Sequence, residues 1–421
     1  MNILLIGNGF DLEHGLPTKY SDFLKFCDVI TIFASQFTPP NTPTTPESFE
    51  SNYCDSWDTS ENIKAIVIAA YTQKWLRNSN PTHKELPCSD DEIIIDELKA
   101  LLVKNTWFNY FIRKLGRMGE NWIDLESEIS AVIQFLDQAR TPPPFIQSKM
   151  EQVLQSICAS ASFLDGTELY GKSYRISALT QILEIHLAHF IRALEIYISH
   201  FVKSVPIWER SPDIEAISPD HVLSFNYSDT YEQIYGNGKN IEYDYIHGKA
   251  SINSTVDSCN LVLGIDEYLN SDKRNEDLDF IPFKKYYQRI LKSTGSAYQD
   301  WISTIKKDHN AAMRNQHVYE SMVSGSNQYS LTLGQLRRIP KHYLYIFGHS
   351  LDITDKDVLH NLICNDNIYT KIYYYREYKD DKRTLAGLIK NLVHIIGQDE
   401  LIRRTGGSHK TIEFIPQTLH E

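Results

Sequence analysis

Asn2-Ile3-Leu4-Leu5-Ile6-Gly7-Asn8-Gly9-Phe10-Asp11 decides how this chain is read. Asn2–Ile6 is a short apolar run without alternation, the pattern of a strand buried on both faces. It stops at Gly7, and glycine recurs at Gly9. Bare glycines let the backbone turn tightly and let its amides come close to a phosphate or a ribose. A tight turn after an edge strand would also explain two glycines. The polar Asn8 and Asp11 in the turn, with Gly15-Leu16-Pro17 close behind, favour a ligand site. The dinucleotide fingerprint of oxidoreductases is not met, because Leu12 stands where a third Gly or Ala belongs. The phosphate loop ending in Gly-Lys-Ser/Thr is absent as well.

The next regular element starts near Tyr20 and carries Leu24 and Phe26 as an amphipathic helix. Thr38–Asp58 is rich in Pro, Thr, Ser and Asn and reads as a loop. Glu92–Leu115, Leu125–Leu136 and Ser177–Phe201 repeat apolar residues every three or four positions, as helices do, and Pro142–Pro144 breaks the run. The width of the apolar face makes Ser177–Phe201 a central helix.

From His221 the character changes. Val222–Phe225, Ile241–Ile246, Leu261–Ile265, His342–Phe347, Lys371–Tyr375 and Thr411–Ile415 read as strands, the last stopped by Pro416. Tyr231–Tyr235, Phe283–Leu291, Tyr298–Ile305, Asp355–Ile363 and Arg383–Ile396 read as helices between them. Such alternation implies an α/β fold with a mainly parallel sheet covered by helices. The expected domains are an α/β body over 1–35 and 208–421 and a mostly helical insertion over 36–207, placed after the first strand. Asn2–Ile6 is expected to be an interior strand beside Val222–Phe225 or His342–Phe347.

The 421 residues are 42% hydrophobic and 23% charged, an ordinary globular balance. The net charge of −12 argues against broad nucleic-acid binding. The six cysteines, Cys27, Cys54, Cys88, Cys158, Cys259 and Cys364, contain no Cys-x-x-Cys pair, so no metal is expected. The opening apolar run is too short for a signal peptide, and no run is long enough to span a bilayer. A cytoplasmic location without membrane contact is expected.

Three further motifs follow strands. In Ser224-Phe225-Asn226-Tyr227-Ser228-Asp229, Asn226 is placed to orient a water or a sugar hydroxyl, while Ser228 or Asp229 suits a helix cap. His247-Gly248 offers a general base, although a lone histidine is more often structural. Gly348-His349-Ser350 puts small polar groups after another strand, with Thr354 and Asp355 suited to a helix start. In the helical block, Asp124, Glu126 and Glu128 read as a cap and solvent-facing charges, with a metal pair as the minor alternative.

Taken together, Leu5–Asp11, Gly15–Thr18, Tyr20–Phe23, Trp122–Glu126, Ser224–Tyr227, His247-Gly248 and Gly348–Asp355 resemble, in order, the blocks of the AbiH family of bacterial phage-abortive-infection proteins. A more distant resemblance is to sirtuin-like NAD-consuming domains. They too open with Gly-x-Gly and Gly-x-Pro, place an Asn after a strand and a His-Gly further on, and finish with Gly-x-Ser. Ser228 stands where those domains usually carry Asp. Thr18-Lys19 replaces their Asp-Phe-Arg, and the zinc-ribbon cysteines are missing. The resemblance therefore implies hydrolysis of NAD rather than deacylation.

What it implies is a Rossmann-like sheet and an antiphage effector binding NAD, or a related nucleotide, as substrate and cleaving the nicotinamide–ribose bond. Asn226 and His247 would be catalytic. Gly7, Asn8, Gly9, Phe10 and Asp11 would bind the nucleotide with Gly348, His349 and Ser350, the glycine-loop amides holding the pyrophosphate. A bulky residue at Gly9 is then expected to abolish binding while sparing the fold. A phage-derived trigger and self-association are compatible with this reading. Two other classes stay open: a non-catalytic sensor of a nucleotide or phage component, and a metal-dependent nuclease using the Asp124–Glu128 carboxylates.

Overall fold

The computed structural model describes residues 1–35, 45–50, 57–79, 87–118, 123–139, 176–236, 238–266, 277–323, 340–379 and 381–418. Trp122, Pro142–Pro144 and most of the loop expected at Thr38–Asp58 lie outside these residues. The chain forms two compact units. One comprises Met1–Gly15, Trp208–Gly248 and Ser293–Glu421; the other comprises Leu16–Ile207 and Lys249–Lys292. The division differs from the sequence-based boundaries in two places: the stretches 16–35 and 249–292 both belong to the helical unit.

The first unit is built on six parallel strands: β1 (Asn2–Ile6), β2 (His221–Ser224), β3 (Glu242–Tyr245), β4 (His342–Phe347), β5 (Ile368–Tyr374) and β6 (Ile412–Pro416). Their order is β3-β2-β1-β4-β5-β6. This is the order of doubly wound, Rossmann-like sheets, which reverses between β1 and β4. β1 is interior and pairs with both strands expected to flank it.

The unbroken apolar run of β1 has its cause in burial on two faces. Ile3 and Leu5 join Leu223, Leu344, Ile346 and Ile372 under the helices Tyr298–Val323, Lys356–Ile363 and Arg383–Ile396. Leu4 and Ile6 point the other way, into Phe10, Ile214, Ile217, Tyr231 and Tyr235. Successive side chains alternate between faces, so a strand covered on both sides has no position left for a polar residue.

The second unit is helical. Its centre is the helix Ile176–Ile196, continued by a π turn over Tyr197–Phe201. Leu183, Leu187, Phe190, Ile191, Leu194 and Tyr197 are all buried there. The rings of Phe23, Phe26, Phe190, Tyr197 and Phe201 pack together, and the Tyr197 hydroxyl donates to the Pro17 carbonyl at 2.7 Å.

Three expectations are corrected. Asn8–Glu13 is a helix rather than an open glycine turn. Glu92–Leu115 is two helices, Asp90–Leu102 and Thr106–Met118. Lys104 between them takes a φ of 63°, and the Asn105 side chain accepts from the Phe108 amide at the start of the second helix. Leu261–Ile265 is not a strand of the sheet. It is a buried extended segment whose Leu263 amide and carbonyl are both satisfied by the Gln288 side chain, at 3.0 Å each.

Candidate functional site at the carboxyl edge of the sheet

The strand register places four loops level with one another. Ile6 pairs with Ser224 and with Phe347, and Ser224 pairs with Tyr245. Asn226, His247 and His349 each stand two residues beyond the end of their strand. The residues singled out after β1, β2, β3 and β4 thus share one edge, the edge where parallel α/β sheets bind ligands.

The glycines there serve the meeting of two loops. The Gly7 amide donates to the Phe347 carbonyl at 3.1 Å, Gly9 to Gly348 at 2.8 Å and Phe10 to Gly7 at 2.8 Å. A Cβ on Gly9 would lie 2.7 Å from the Gly348 Cα, and one on Gly7 would lie 2.7 Å from the His349 Cα. Gly348 has a φ of +67°, and a Cβ on it would run into the Phe10 amide. Three of the amides expected to hold a pyrophosphate are therefore already bonded to the chain. A bulky residue at Gly9 would collide with backbone and disturb the fold, contrary to the expectation that the fold is spared.

Asp11 is 1% exposed. Its carboxylate accepts from the Ser228 hydroxyl at 2.6 Å, and Thr230 in turn donates to Ser228 at 3.0 Å. Burial raises the Asp11 pKa from 3.8 to about 6, against the opposing pull of the Ser228 and Thr230 hydroxyls and the Asn226 amide. Asn226 is 4% exposed, and neither atom of its amide has a hydrogen-bond partner of good geometry. Its backbone amide donates to Ser224 Oγ at 3.1 Å. The helix cap expected of Ser228 or Asp229 is not made: Ser228 turns to Asp11, and Asp229 sits at the cap of Thr230–Tyr235 without a side-chain cap bond.

A second cluster adjoins it through the same loop. The Phe225 ring lies 5.5 Å from that of His247 and 4.4 Å from that of His349, edge-on to both. His247 Nε2 lies 3.5 Å from Asp355 Oδ1, and His349 Nε2 lies 3.4 Å from Asp355 Oδ2. His349 Nδ1 accepts from the Leu351 amide at 2.9 Å. Tyr227 places its ring 6.3 Å from His247.

One expected residue is withdrawn into the core. The Phe10 ring is fully buried among His14, Tyr231, Tyr235 and Phe347, so it is a core residue. Asn8 and Ser350 are exposed, and the Ser350 carbonyl accepts from Asn391. Asp355 was legible only as a helix start. The signal that could have found it is the pair of acids Asp352 and Asp355: Asp352 accepts the Thr354 amide, which leaves the second carboxylate for other work.

The acidic patch of the helical unit is engaged in structure. Asp124 accepts from the Glu126 and Ser127 amides as a cap. Glu126 pairs with buried Lys285 at 2.7 Å, and Glu128 accepts from Tyr110 and pairs with Lys114. Among the described residues no group of three or more His, Cys, Asp or Glu is arranged to hold a metal ion, and no helix is long and apolar enough to cross a membrane.

Against curated proteins and against solved structures the chain gives no match. A family model described as bacteriophage abortive infection AbiH matches residues 3–375. That span contains β1 from Ile3 onward, β2 through β5 and every loop of the site, so the chain belongs to the bacteriophage abortive infection AbiH family.

Proposed function

We propose that this abortive-infection protein takes NAD, or a closely related nucleotide, at the carboxyl edge of its sheet and hydrolyses the bond between nicotinamide and ribose. The observation that carries the reading is Asn226. Its buried amide makes no hydrogen bond of good geometry within the chain, although it lies close enough to Asp11 to lower that group's pKa; an unsatisfied buried amide costs roughly 1–3 kcal/mol, which favours a partner that arrives from outside. A ribose hydroxyl or the attacking water fits, since the amide both donates and accepts. His247 removes a proton from that hydroxyl or water. Cleavage leaves positive charge on the ribose, and the Asp11 carboxylate, ionised above about pH 6, is the negative charge near Asn226 that favours it. The glycine loops form the floor by their contact with each other, and the pyrophosphate is held by other groups than the Gly7, Gly9 and Phe10 amides. Self-association and a phage-derived trigger remain compatible with this proposal.

The test is the NAD level of infected cells carrying the wild type or His247→Ala. NAD falls with the wild type and holds with the variant, while both proteins accumulate equally. Protection by the wild type at constant NAD overturns the proposal.

A further inference from the structure

We infer that Asp355 is the positioning residue of this site: one carboxylate oxygen fixes His247, the other is held by His349, and the three form a single unit. The inference rests on the reading of His247 as the base. Asp355 closes the 3-10 turn Ile353–Asp355, which Asp352 caps, and leads into the helix Lys356–Ile363 with no side-chain cap bond of its own. Its carboxylate lies instead against the two imidazoles, with side-chain exposures of 9% for His247, 4% for His349 and 13% for Asp355.

The far side of the unit is also built. The Leu351 amide donates to His349 Nδ1, so the His349 proton resides on Nε2, the nitrogen facing Asp355 Oδ2. To present that amide, Leu351 adopts a φ of 55° while completely buried, a conformation unfavourable for a side chain of its size. Such backbone cost is found where a site demands it. Phe225 packs edge-on against both rings and holds their planes. His349 thus commits one oxygen of Asp355, and the other fixes the His247 proton on Nε2. The reacting nitrogen of His247 is then Nδ1. Loss of Asp355 releases the wrong tautomer without removing the base, as happens whenever a carboxylate that orients a catalytic imidazole is neutralised.

The experiment compares the full-length wild type, Asp355→Asn, Asp355→Glu, His247→Ala and the double variant His247→Ala/Asp355→Asn, with NAD as the substrate and nicotinamide release as the readout. Asp355→Asn is expected to lower kcat by roughly 10²–10⁴-fold with KM unchanged within about threefold. Asp355→Glu recovers part of the loss. In the His247→Ala background Asp355→Asn costs nothing more, because a residue acting through another has no effect once that other is gone. Independent, multiplying losses overturn the inference. Absence of nicotinamide release from the wild type overturns the proposed hydrolysis instead. The positioning role is then decided by the imidazole ¹⁵N spectrum, assigned by comparison with His247→Ala. The wild type carries the His247 proton on Nε2 and Asp355→Asn redistributes it; an unchanged spectrum overturns the inference.

Discussion

Asp11 is neutral in the folded protein over a pH range in which it is charged in the unfolded chain. Burial raises its pKa from 3.8 to about 6, so folding favours the protonated form. Its contribution to stability is therefore fully present below about pH 3.8 and is lost as pH rises through about 6. At 1.36 kcal/mol per pH unit, the loss amounts to roughly 3 kcal/mol by pH 7.5. Asp11→Asn keeps an oxygen for the Ser228 hydroxyl and removes the charge. Urea unfolding should show the variant more stable than wild type at pH 7.5 by up to that amount and nearly equal to it at pH 4. The glycines give a second residue-scale prediction. Gly9→Ala meets the Gly348 backbone and should cost roughly 1–3 kcal/mol as an overpacked contact. Gly348→Ala adds the left-handed backbone penalty of about 1–2 kcal/mol and should unfold at a lower urea concentration than Gly9→Ala. Equal midpoints for wild type and both variants would remove the loop contact from the account.

At the scale of elements, Leu261–Ile265 shows how an apolar run misleads. Its composition is that of a buried strand, and the segment is buried and extended. Among the described residues its backbone pairing is a single parallel bridge, Ile265 with Lys284; at Leu263 one side chain, Gln288, takes the place of a ladder by donating to the carbonyl and accepting from the amide. Gln288→Ala leaves both backbone groups buried without partners, and roughly 2–4 kcal/mol of stability should be lost in chemical denaturation. A loss below about 0.5 kcal/mol would mean that water replaces the amide there. The helix Asn8–Glu13 was hidden for a related reason. Asn-Gly reads as a turn, and nothing local to the sequence shows that Phe10 is drawn into a pocket lined by Tyr231, Tyr235 and Phe347.

For the whole molecule, the net charge of −12 sets the expected behaviour toward polyanions. Retention of a nucleic acid depends on displaced counterions, and an acidic surface supplies few contacts for that exchange. The purified chain should show no measurable binding to single- or double-stranded DNA or RNA at about 150 mM salt in fluorescence anisotropy. Tight binding there would move the functional reading toward a nuclease. The Asp124–Glu128 acids give no support for such a turn, since each is already bonded as a cap or an ion pair.

The strands after which the site is built were legible because two-sided burial leaves a local signature, a short unbroken apolar run ended by glycine or a polar residue. β1 coincides with its sequence-based limits for that reason. Asn226, His247 and His349 were legible in the same way, as polar residues just past such runs. Their mutual arrangement was not, because it depends on strand order, and order is decided by which helices cover which face. Only the tertiary structure sets Ser228 on Asp11 across 217 positions of sequence. Only it sets Asp355 against two histidines on different loops. Local sequence determines which backbone a segment prefers; the pairing of distant polar groups is settled when the sheet closes over its core and leaves those groups no other partner.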